Sequence, residues 1–316
     1  MRAWLVSSGM LLALAAIHAA AADQVVVNLL TGRGNSVYYT LGVALGTNID
    51  KTLPGAKTTV QGTKGSAENL DRLQKGSGEI AFAAGDALVD AWKGNADAGF
   101  KAPHDKLRAI AALYPDYIQI VARADAGIST LADLKGKRVS VGVRNSGIEL
   151  NARTIIAAAG LSYESFARVD YLPFGESMEL MKDGRIDATL QSAAIGAIAL
   201  RDLANAVEAV FVPVPADVIG RIDHPAYLAG VIPAHTYRGQ SADVPVAAVR
   251  NYLVTRQDLG ADVVYAATKA LWTGLDQLVA AHPAARAIDP KRALDAVPVP
   301  LHPGAEKYYR ESKLIR

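Results

Sequence analysis

The apolar positions of this chain alternate between short extended runs and helical faces. Residues 25–30 form a β-branched run that ends in a turn containing Gly32 and Gly34. After Ser36, apolar residues recur four apart at Val37 and Leu41, as one face of a helix requires. Asn35 or Ser36 is predicted to cap this helix. The first amides of a helix lack intrahelical partners and attract anions, so this strand-to-helix corner is predicted to receive a carboxylate or phosphate. An ordinary structural turn is the alternative.

The same corner carries part of a dinucleotide-binding fingerprint, because two glycines stand one residue apart. Val37 stands where the third glycine belongs, and no acid follows the next extended run at 58–61. Both features are needed to bind pyrophosphate and ribose in that motif. The sequence therefore argues against a dinucleotide site.

Two more corners of the same kind follow in the first third of the chain. The run at 57–61 leads to Ser66, which is predicted to cap a helix over 67–74. The run at 80–84 leads to Gly85 and Asp86, and Asp86 is predicted to cap the next helix. Three successive strands thus end in small or polar residues that begin helices.

The middle of the chain repeats this plan. A strand at 139–141 leads to Ser146 and Glu149, spaced as a capping box in which Glu149 reaches back to the Ser146 amide. A strand at 169–172 and another at 185–190 follow, each with a helix after it. Ligands in open α/β sheets bind at the carboxyl ends of the strands. The sequence therefore predicts an α/β protein with two facing βαβ-type lobes and a cleft between them.

The order of these elements predicts how the chain divides. Lobe 1 is expected to comprise residues 23–122 and 228–316, and lobe 2 residues 123–227. The chain would cross between lobes near 122–124 and 227–231. The last segment contains an apolar run at 244–254 and a long predicted helix at 261–280, and it is expected to complete lobe 1.

The N-terminus has the three parts of a secretory signal peptide. A charged start at Arg2 precedes an apolar middle and a run of small residues that ends at Ala22. Cleavage after Ala22 would remove residues 1–22 and place the mature chain in the periplasm. An uncleaved membrane anchor is the alternative, but residues 7–9 interrupt an apolar run that is already short.

The composition and the absence of known motifs exclude several kinds of functional site. The 316 residues include no cysteine, which excludes disulfides, thiolate metal sites and cysteine nucleophiles. The net charge is +2 with acids and bases interspersed, so no nucleic acid is expected as a partner. No paired-histidine metal motif, nucleophile elbow or phosphate-binding glycine loop is present. His302 precedes a proline and is predicted to be a structural turn residue. We expect no cofactor, no metal and no catalytic residue.

Three cations lie in the predicted strand-to-helix loops, namely Arg33, Lys64 and Arg144. They are candidates to converge on an acidic ligand, since an arginine offers two parallel hydrogen bonds to a carboxylate. Simple solvation of each loop cation is the alternative reading. Of the adjacent Tyr38 and Tyr39 only one can face the site, because neighbouring helical residues point about 100° apart; Tyr38 is the predicted one.

Several motifs resemble the TAXI family, the solute receptors of TRAP (tripartite ATP-independent periplasmic) transporters. They lie at 32–39, 65–70, 131–142, 146–149 and 184–188, and at 236–240, 243–245 and 301–309. The motifs containing Tyr237 and His302 are the more specific ones. The family usually has other residues at Asn35, Lys64, Ala84 and Arg144.

The resemblance implies a two-lobed type II periplasmic binding protein that delivers a small anionic metabolite to a membrane-embedded TRAP permease subunit. Known relatives bind glutamate-like amino acids or 2-oxo dicarboxylates. Carried over by position, the ligand-binding residues would be Asn35, Ser36, Val37, Tyr38, Thr63, Lys64, Gly65, Ser66, Gly85 and Asp86 in lobe 1, and Asn145, Ser146, Gly147, Phe174, Glu176 and Gln191 in lobe 2.

The leading hypothesis is a monomeric receptor that closes around its solute by hinge motion and performs no chemistry. Two alternatives keep the same fold. One is an exported enzyme, and the other is a receptor that passes its signal to a sensor instead of a permease.

Overall fold

The computed structural model describes residues 24–34, 36–144 and 146–314. The predicted signal peptide and its cleavage after Ala22 lie outside the described residues, as do the predicted ligand residues Asn35 and Asn145. Within the described part, no helix is both long and apolar enough to cross a membrane.

Strands and helices alternate through most of the chain, as the apolar pattern predicts. The strands are β1 (Val25–Leu30), β2 (Ala56–Gln61), β3 (Ile80–Ala84), β4 (Leu107–Arg123), β5 (Arg138–Ser140), β6 (Arg168–Asp170), β7 (Ala188–Ala193), β8 (Ala209–Val212), β9 (Tyr227–Ile232) and β10 (Val244–Arg256). The helices are α1 (Val37–Thr52), α2 (Ser66–Gln74), α3 (Gly85–Lys93), α4 (Gly147–Ala158), α5 (Phe174–Lys182), α6 (Ile198–Ala206), α7 (Ala216–Gly220), α8 (Ala261–Thr273), α9 (Leu275–Ala281) and α10 (Pro303–Glu311).

All ten of these strands belong to one continuous sheet with two parallel ends joined by antiparallel strands. Its order is β2-β1-β3-β10-β4-β7-β5-β6, with β8 added to β4 and β9 added to β10. At one end β1 pairs in parallel with β2 and β3, and at the other β5 pairs in parallel with β6 and β7. The long strands β4 and β10 are antiparallel to each other and run through both halves.

The register of the two long strands fixes where the halves meet. In one half Asn251 of β10 lies opposite Ala84, the last residue of β3. In the other half Tyr117 of β4 lies opposite Ala193, the last residue of β7. Arg250 pairs with Pro115 between these points. The carboxyl ends of the parallel strands from both halves therefore converge on the middle of β4 and β10, where a sheet of this kind binds ligands.

Strands β4 and β9 show how the chain passes between the two halves. Strand β4 pairs with β10 as far as Ile118, and from Tyr117 to Ala122 it also pairs with β7. Strand β9 begins at Tyr227 and pairs with Val244–Val249, the part of β10 that lies in the second half. The predicted lobe boundaries near 122–124 and 227–231 stay predictions.

Alternate residues of the strands feed separate hydrophobic cores on the two faces of the sheet. Ile80 and Phe82 of β3 pack with Leu41 of α1, whereas Ala81 and Ala83 pack with α2 and α3. The C-terminal segment covers the first of these faces, because Leu271 and Tyr309 join the same core.

The long helix predicted at 261–280 is divided at Gly274, which ends α8 and begins α9. The side chain of Asn48 in α1 donates to the Gly274 carbonyl oxygen at 3.2 Å. A Cβ atom at Gly274 would lie 2.0 Å from the Asn48 Nδ2 atom, so only glycine admits this contact. The apolar periodicity continues across the break, which is why the sequence pattern alone did not reveal it.

Candidate ligand-binding site

The first corner is held by its serine and its tyrosine. Ser36 is the N-cap of α1 and accepts a hydrogen bond from the Tyr39 amide at 3.2 Å. Tyr38 stacks on Phe82 with ring centroids 5.3 Å apart, and its hydroxyl donates to Asn251 Oδ1. Val37 packs against the first-lobe core. Tyr38 thus links the start of α1 to the middle of β10.

The second corner is held together by hydrogen bonds of its own. The hydroxyl of buried Thr63 lies 2.8 Å from the Thr31 carbonyl oxygen and 2.7 Å from Asn69 Oδ1. It also accepts from the Gly65 amide at 3.0 Å. Thr63 therefore ties the ends of β1 and β2 together, which makes it a structural residue of this loop.

Ser66 and Asp86 do not cap their helices, so the two predicted caps are wrong. Ser66 is the first residue of α2, and the N-cap is Gly65, whose φ of +117° an L side chain rarely adopts. Ser66 Oγ instead accepts from the Ala84 amide at 3.0 Å. Asp86 is the second residue of α3, follows the cap position by two, and is buried.

Gly85 lies where the start of α3 contacts β10. A Cβ atom here would lie 2.9 Å from the Tyr252 ring and 3.0 Å from the Arg250 carbonyl oxygen. Glycine is therefore required for this close packing, which sets α3 against the crossing strands.

The three loop cations are exposed, each at its own corner. Arg33 and Lys64 make no ion pair in the described part of the chain, although the Lys64 backbone amide donates to Glu68. The Arg144 guanidinium lies 3.8 Å from the centroid of the Tyr171 ring, a cation–π contact that holds this side chain beside the second-lobe corner. Contact with a ligand stays a prediction for all three.

The second lobe repeats the serine cap of the first. Ser146 is the N-cap of α4 and accepts from the Glu149 amide at 3.3 Å. The reverse half of the predicted capping box is wrong, because the Ser146 amide donates to the Val143 carbonyl oxygen. Glu149 is buried and binds Arg153, with its oxygens 2.8 Å from that guanidinium. Gly147, the first residue of α4, is exposed.

The remaining predicted residues of the second lobe have different environments. Phe174 begins α5 and packs against a hydrophobic core, whereas Glu176 in the same turn is exposed. Gln191 is fully buried, opposite Gln119 in the register of β4 and β7. Its Nε2 donates to Thr189, and its Oε1 has no hydrogen-bond partner among the described residues.

Sequence reasoning missed the polar residues at the middle of the crossing strands. We call Tyr38, Ser66, Tyr114, Asp116 and Asn251 the crossover cluster. Asn251 is fully buried and donates to Asp116 Oδ2 at 3.0 Å and to the Tyr114 carbonyl oxygen at 3.2 Å. The Tyr114 hydroxyl is buried and has no described partner. The available signals were Pro115, which interrupts an apolar run, and a lone asparagine within 244–254.

The crossover cluster is acidic. Burial raises the pKa of Asp116 to about 6; the hydrogen bond from Asn251 opposes the rise and the nearby Asp86 adds to it. Burial, with the charge of Asp116, also raises the pKa of Tyr38. No described lysine, arginine or histidine lies within 4.0 Å of the Asp116 carboxylate. The cluster therefore offers acceptor oxygens and a carboxylate that lacks a cationic partner.

A cavity of about 450 Å³ lies between α3, α4 and residues 221–227. In its wall His224 Nε2 lies 3.5 Å from Asp90 Oδ1, which is an ion-pair distance too long for a good hydrogen bond. Burial opposes ionisation of Asp90, but the nearby His224 and a hydrogen bond from Asn95 outweigh it and lower the pKa of Asp90. Of the predicted ligand residues that the structure describes, only Asp86 lines this cavity.

Two residues of the family-like motifs have structural roles. The Tyr237 hydroxyl donates to Gln119 at 2.6 Å and accepts from the Gly196 amide at 2.9 Å. His302 is the N-cap of α10, where its Nδ1 accepts from the Gly304 amide at 3.1 Å. His302 is thus a structural turn residue, as predicted. The described residues include no group of three histidine or acidic side chains that could hold a metal ion.

Comparison with known proteins identifies the family and the fold. A family model described as the NMT1-like family matches residues 29–312. Among solved structures, PhnD1 from Prochlorococcus marinus in complex with methylphosphonate is 13% identical, with a TM-score of 0.57 over 93% of this chain and 100% of that one. MatC from Rhodopseudomonas palustris with bound malate is 14% identical, with a TM-score of 0.55 over 92% and 97% of the two chains.

A TctC solute binding protein from Polaromonas is 18% identical, with a TM-score of 0.51 over 82% of this chain and 88% of that one. At these identities the likeness establishes a shared fold and nothing about ligands. The predicted α/β fold of periplasmic binding proteins is thereby confirmed.

Proposed function

Because this chain belongs to the NMT1-like family, we propose that it is an exported, periplasmic solute receptor of a membrane transporter. In this proposal the lobes, residues 23–122 with 228–316 and residues 123–227, close around a small organic anion. The candidates are a glutamate-like amino acid and a 2-oxo or dicarboxylic acid. The receptor delivers this solute, as a monomer, to a TRAP-type permease subunit and performs no chemistry.

The observation that carries the proposal is the convergence of strand ends. Ala84 and Ala193, which end β3 and β7, lie opposite Asn251 and Tyr117 on the two crossing strands. The helices that begin after parallel strands point their free amides toward this region, and free amides bind anions. Serine caps at Ser36 and Ser146 define two of these helix starts.

Two comparisons support an anionic solute. MatC is a relative in fold with bound malate, and PhnD1 is one with methylphosphonate. The assignment to a TRAP transporter rests on the motif resemblance, chiefly the segments containing Tyr237 and His302.

Hinge closure is the proposed mechanism. A ligand that contacts both lobes stabilises the closed arrangement by its differential affinity for the two states. The strands β4 and β10 are the connections that would bend.

A thermal-shift screen of the mature chain tests the proposal. The probes are amino acids, 2-oxo acids and dicarboxylates, with sugars and neutral amides as controls. A ligand that binds only the folded state raises the melting temperature, so we expect acids to raise it and the controls to leave it unchanged. Recovery of the bound acid unaltered is expected of a receptor. A shift produced only by the neutral controls, or conversion of the acid, would overturn the proposal.

A further inference from the structure

We infer that Asp116 binds a protonated amino group of the solute, so that the receptor selects an amino acid over the corresponding 2-oxo acid. This inference rests on the proposed function and narrows it. It assigns the crossover cluster as the part of the cleft that recognises positive charge.

The first argument is position. Asp116 follows Pro115, which pairs with Arg250 at the point where the carboxyl ends of both sets of strands converge. The residue is part-exposed to solvent, although its surroundings are dense enough to raise its pKa. These two properties together describe a carboxylate that is largely surrounded by protein and is still reached by solvent.

The second argument is unbalanced charge. Among the described residues, the hydrogen bond to the Asp116 side chain comes from the neutral amide of Asn251. The ion pairs of the described residues include none to Asp116. A carboxylate in surroundings this dense is costly to ionise without a cation nearby, and proteins normally pair such a group. A cation supplied by the solute would complete the pair.

The third argument is the set of acceptors around this carboxylate. An ammonium group has three donors and no acceptor. The Tyr38 hydroxyl donates its hydrogen to Asn251 and accepts a hydrogen bond from Ser66, which leaves its oxygen one further lone pair. The Tyr114 hydroxyl is fully buried and unpartnered, and it is close enough for the charge of Asp116 to raise its pKa. The cluster thus provides more than one oxygen to which an ammonium can donate.

The opposite end of the solute is assigned by the proposed function. Its carboxylate would occupy the helix starts at Ser36 and Ser146, with Arg144 nearby. A 2-oxo acid presents a carbonyl oxygen where the amino acid presents its ammonium, and that oxygen would face the Asp116 carboxylate without a hydrogen to share. The same cleft therefore repels one member of the pair and binds the other.

The test is titration calorimetry with matched pairs that differ only in this group. The pairs are L-glutamate with 2-oxoglutarate, L-alanine with pyruvate, and L-leucine with 4-methyl-2-oxopentanoate, all at pH 7.5. We expect the amino acid of the binding pair to bind roughly tenfold to a hundredfold more tightly, the range for a charge-assisted hydrogen bond.

Asp116→Asn keeps the shape and the acceptor oxygen for Asn251, and it is expected to abolish this preference. Asp90→Asn, which removes a carboxylate from the neighbouring cavity, is the matched control and is expected to preserve the preference. Melting temperatures of both variants establish that they are folded.

A second measurement uses the unaltered protein, so that it stands even if Asp116→Asn fails to fold. Asn251 from β10 and Asp86 from α3 act on Asp116, and the charge of Asp116 acts in turn on Tyr38 from α1 and Tyr114 from β4. Of these, the tyrosines stay neutral below pH 8 because their pKa values are raised. As the pH falls from 8 to 5, Asp116 takes up a proton near pH 6. The preference for the amino acid should therefore decline over this interval.

The possible outcomes distinguish a failure of the amino-group inference from a failure of the proposed receptor function. A 2-oxo acid that binds as tightly as its amino partner, with no change in Asp116→Asn, overturns the inference and leaves the receptor for an organic anion intact. Binding of neither member of any pair contradicts the proposed function, and the inference fails with it.

Discussion

The two corners capped by serine are alike in backbone, and each carries an exposed arginine, but they differ in the groups that their side chains contact. Ser36 and Ser146 each accept from an amide three residues later, at 3.2 and 3.3 Å. The first corner leads through Tyr38 to Asn251 and the Asp116 carboxylate. The second presents the Arg144 guanidinium over Tyr171. The two halves of the fold therefore contain similar turns, in which helix amides can bind an anion. The side chains that each turn contacts differ, with a carboxylate near the first and a guanidinium at the second.

The largest expected effect is on the free energy of unfolding and comes from removing the Asp116 carboxylate. The folded pKa of Asp116 is about 6, above the ordinary value of 3.8. Between these pH values the folded state binds more protons than the unfolded state, so stability declines as the pH rises through 6. Asp116→Asn should therefore make the ligand-free protein more stable at pH 7.5, by up to roughly 2–3 kcal/mol.

Urea unfolding of the parent and Asp116→Asn at pH 7.5 and pH 4.5 measures this effect. The difference between the two proteins should shrink at the lower pH, where the parent carboxyl is protonated. A difference that is the same at both pH values would contradict the proposed burial of this charge.

The next effect is on ligand affinity and concerns Arg144 at the second corner. Arg144→Ala should weaken binding of the preferred acid by roughly tenfold, the loss of one exposed charge-assisted contact. Arg33→Ala, which removes an exposed cation with no ring partner, serves as the matched control and should change affinity less. Calorimetry measures both. Equal affinities for Arg144→Ala and the parent would remove Arg144 from the site and leave the difference between the corners without a functional meaning.

The smallest effect tests the shared part of the two corners. Ser36→Ala and Ser146→Ala each remove one cap hydrogen bond, and each should lower the free energy of unfolding by about 1 kcal/mol. The losses should add in the double variant, because the two caps share no partner. Chemical denaturation measures all three variants. A loss at one cap only would show that the corners differ in backbone as well as in side-chain contacts.

The sequence predicted those features of the site that are encoded locally. A β-branched run, a small-residue turn and a helical face are contiguous, so the strand-to-helix corners and the caps at Ser36 and Ser146 were found in place. The caps at Ser66 and Asp86 were wrong because the helices begin one or two residues earlier, at Ser66 itself and at Gly85. A polar residue near a helix start gives the same local signal in either position.

The crossover cluster had no such local signal. Asp116 and Asn251 are 135 residues apart and are hydrogen-bonded only because β4 and β10 pair in one particular register. Neither residue stands in a loop or at a helix start, where polar residues attract attention. Long-range strand register decides which side chains meet at the middle of β4 and β10, and no single segment contains that information.

The continuity of β4 and β10 has a consequence for the way the molecule loses its structure. Each of these two strands belongs to both halves, and hydrogen bonds join β10 to β3 in one half and to β9 in the other. Unfolding of one half would remove hydrogen-bond partners from β4 and β10, which are also part of the other half. The protein should therefore denature in a single cooperative step, with no stage at which one half survives alone.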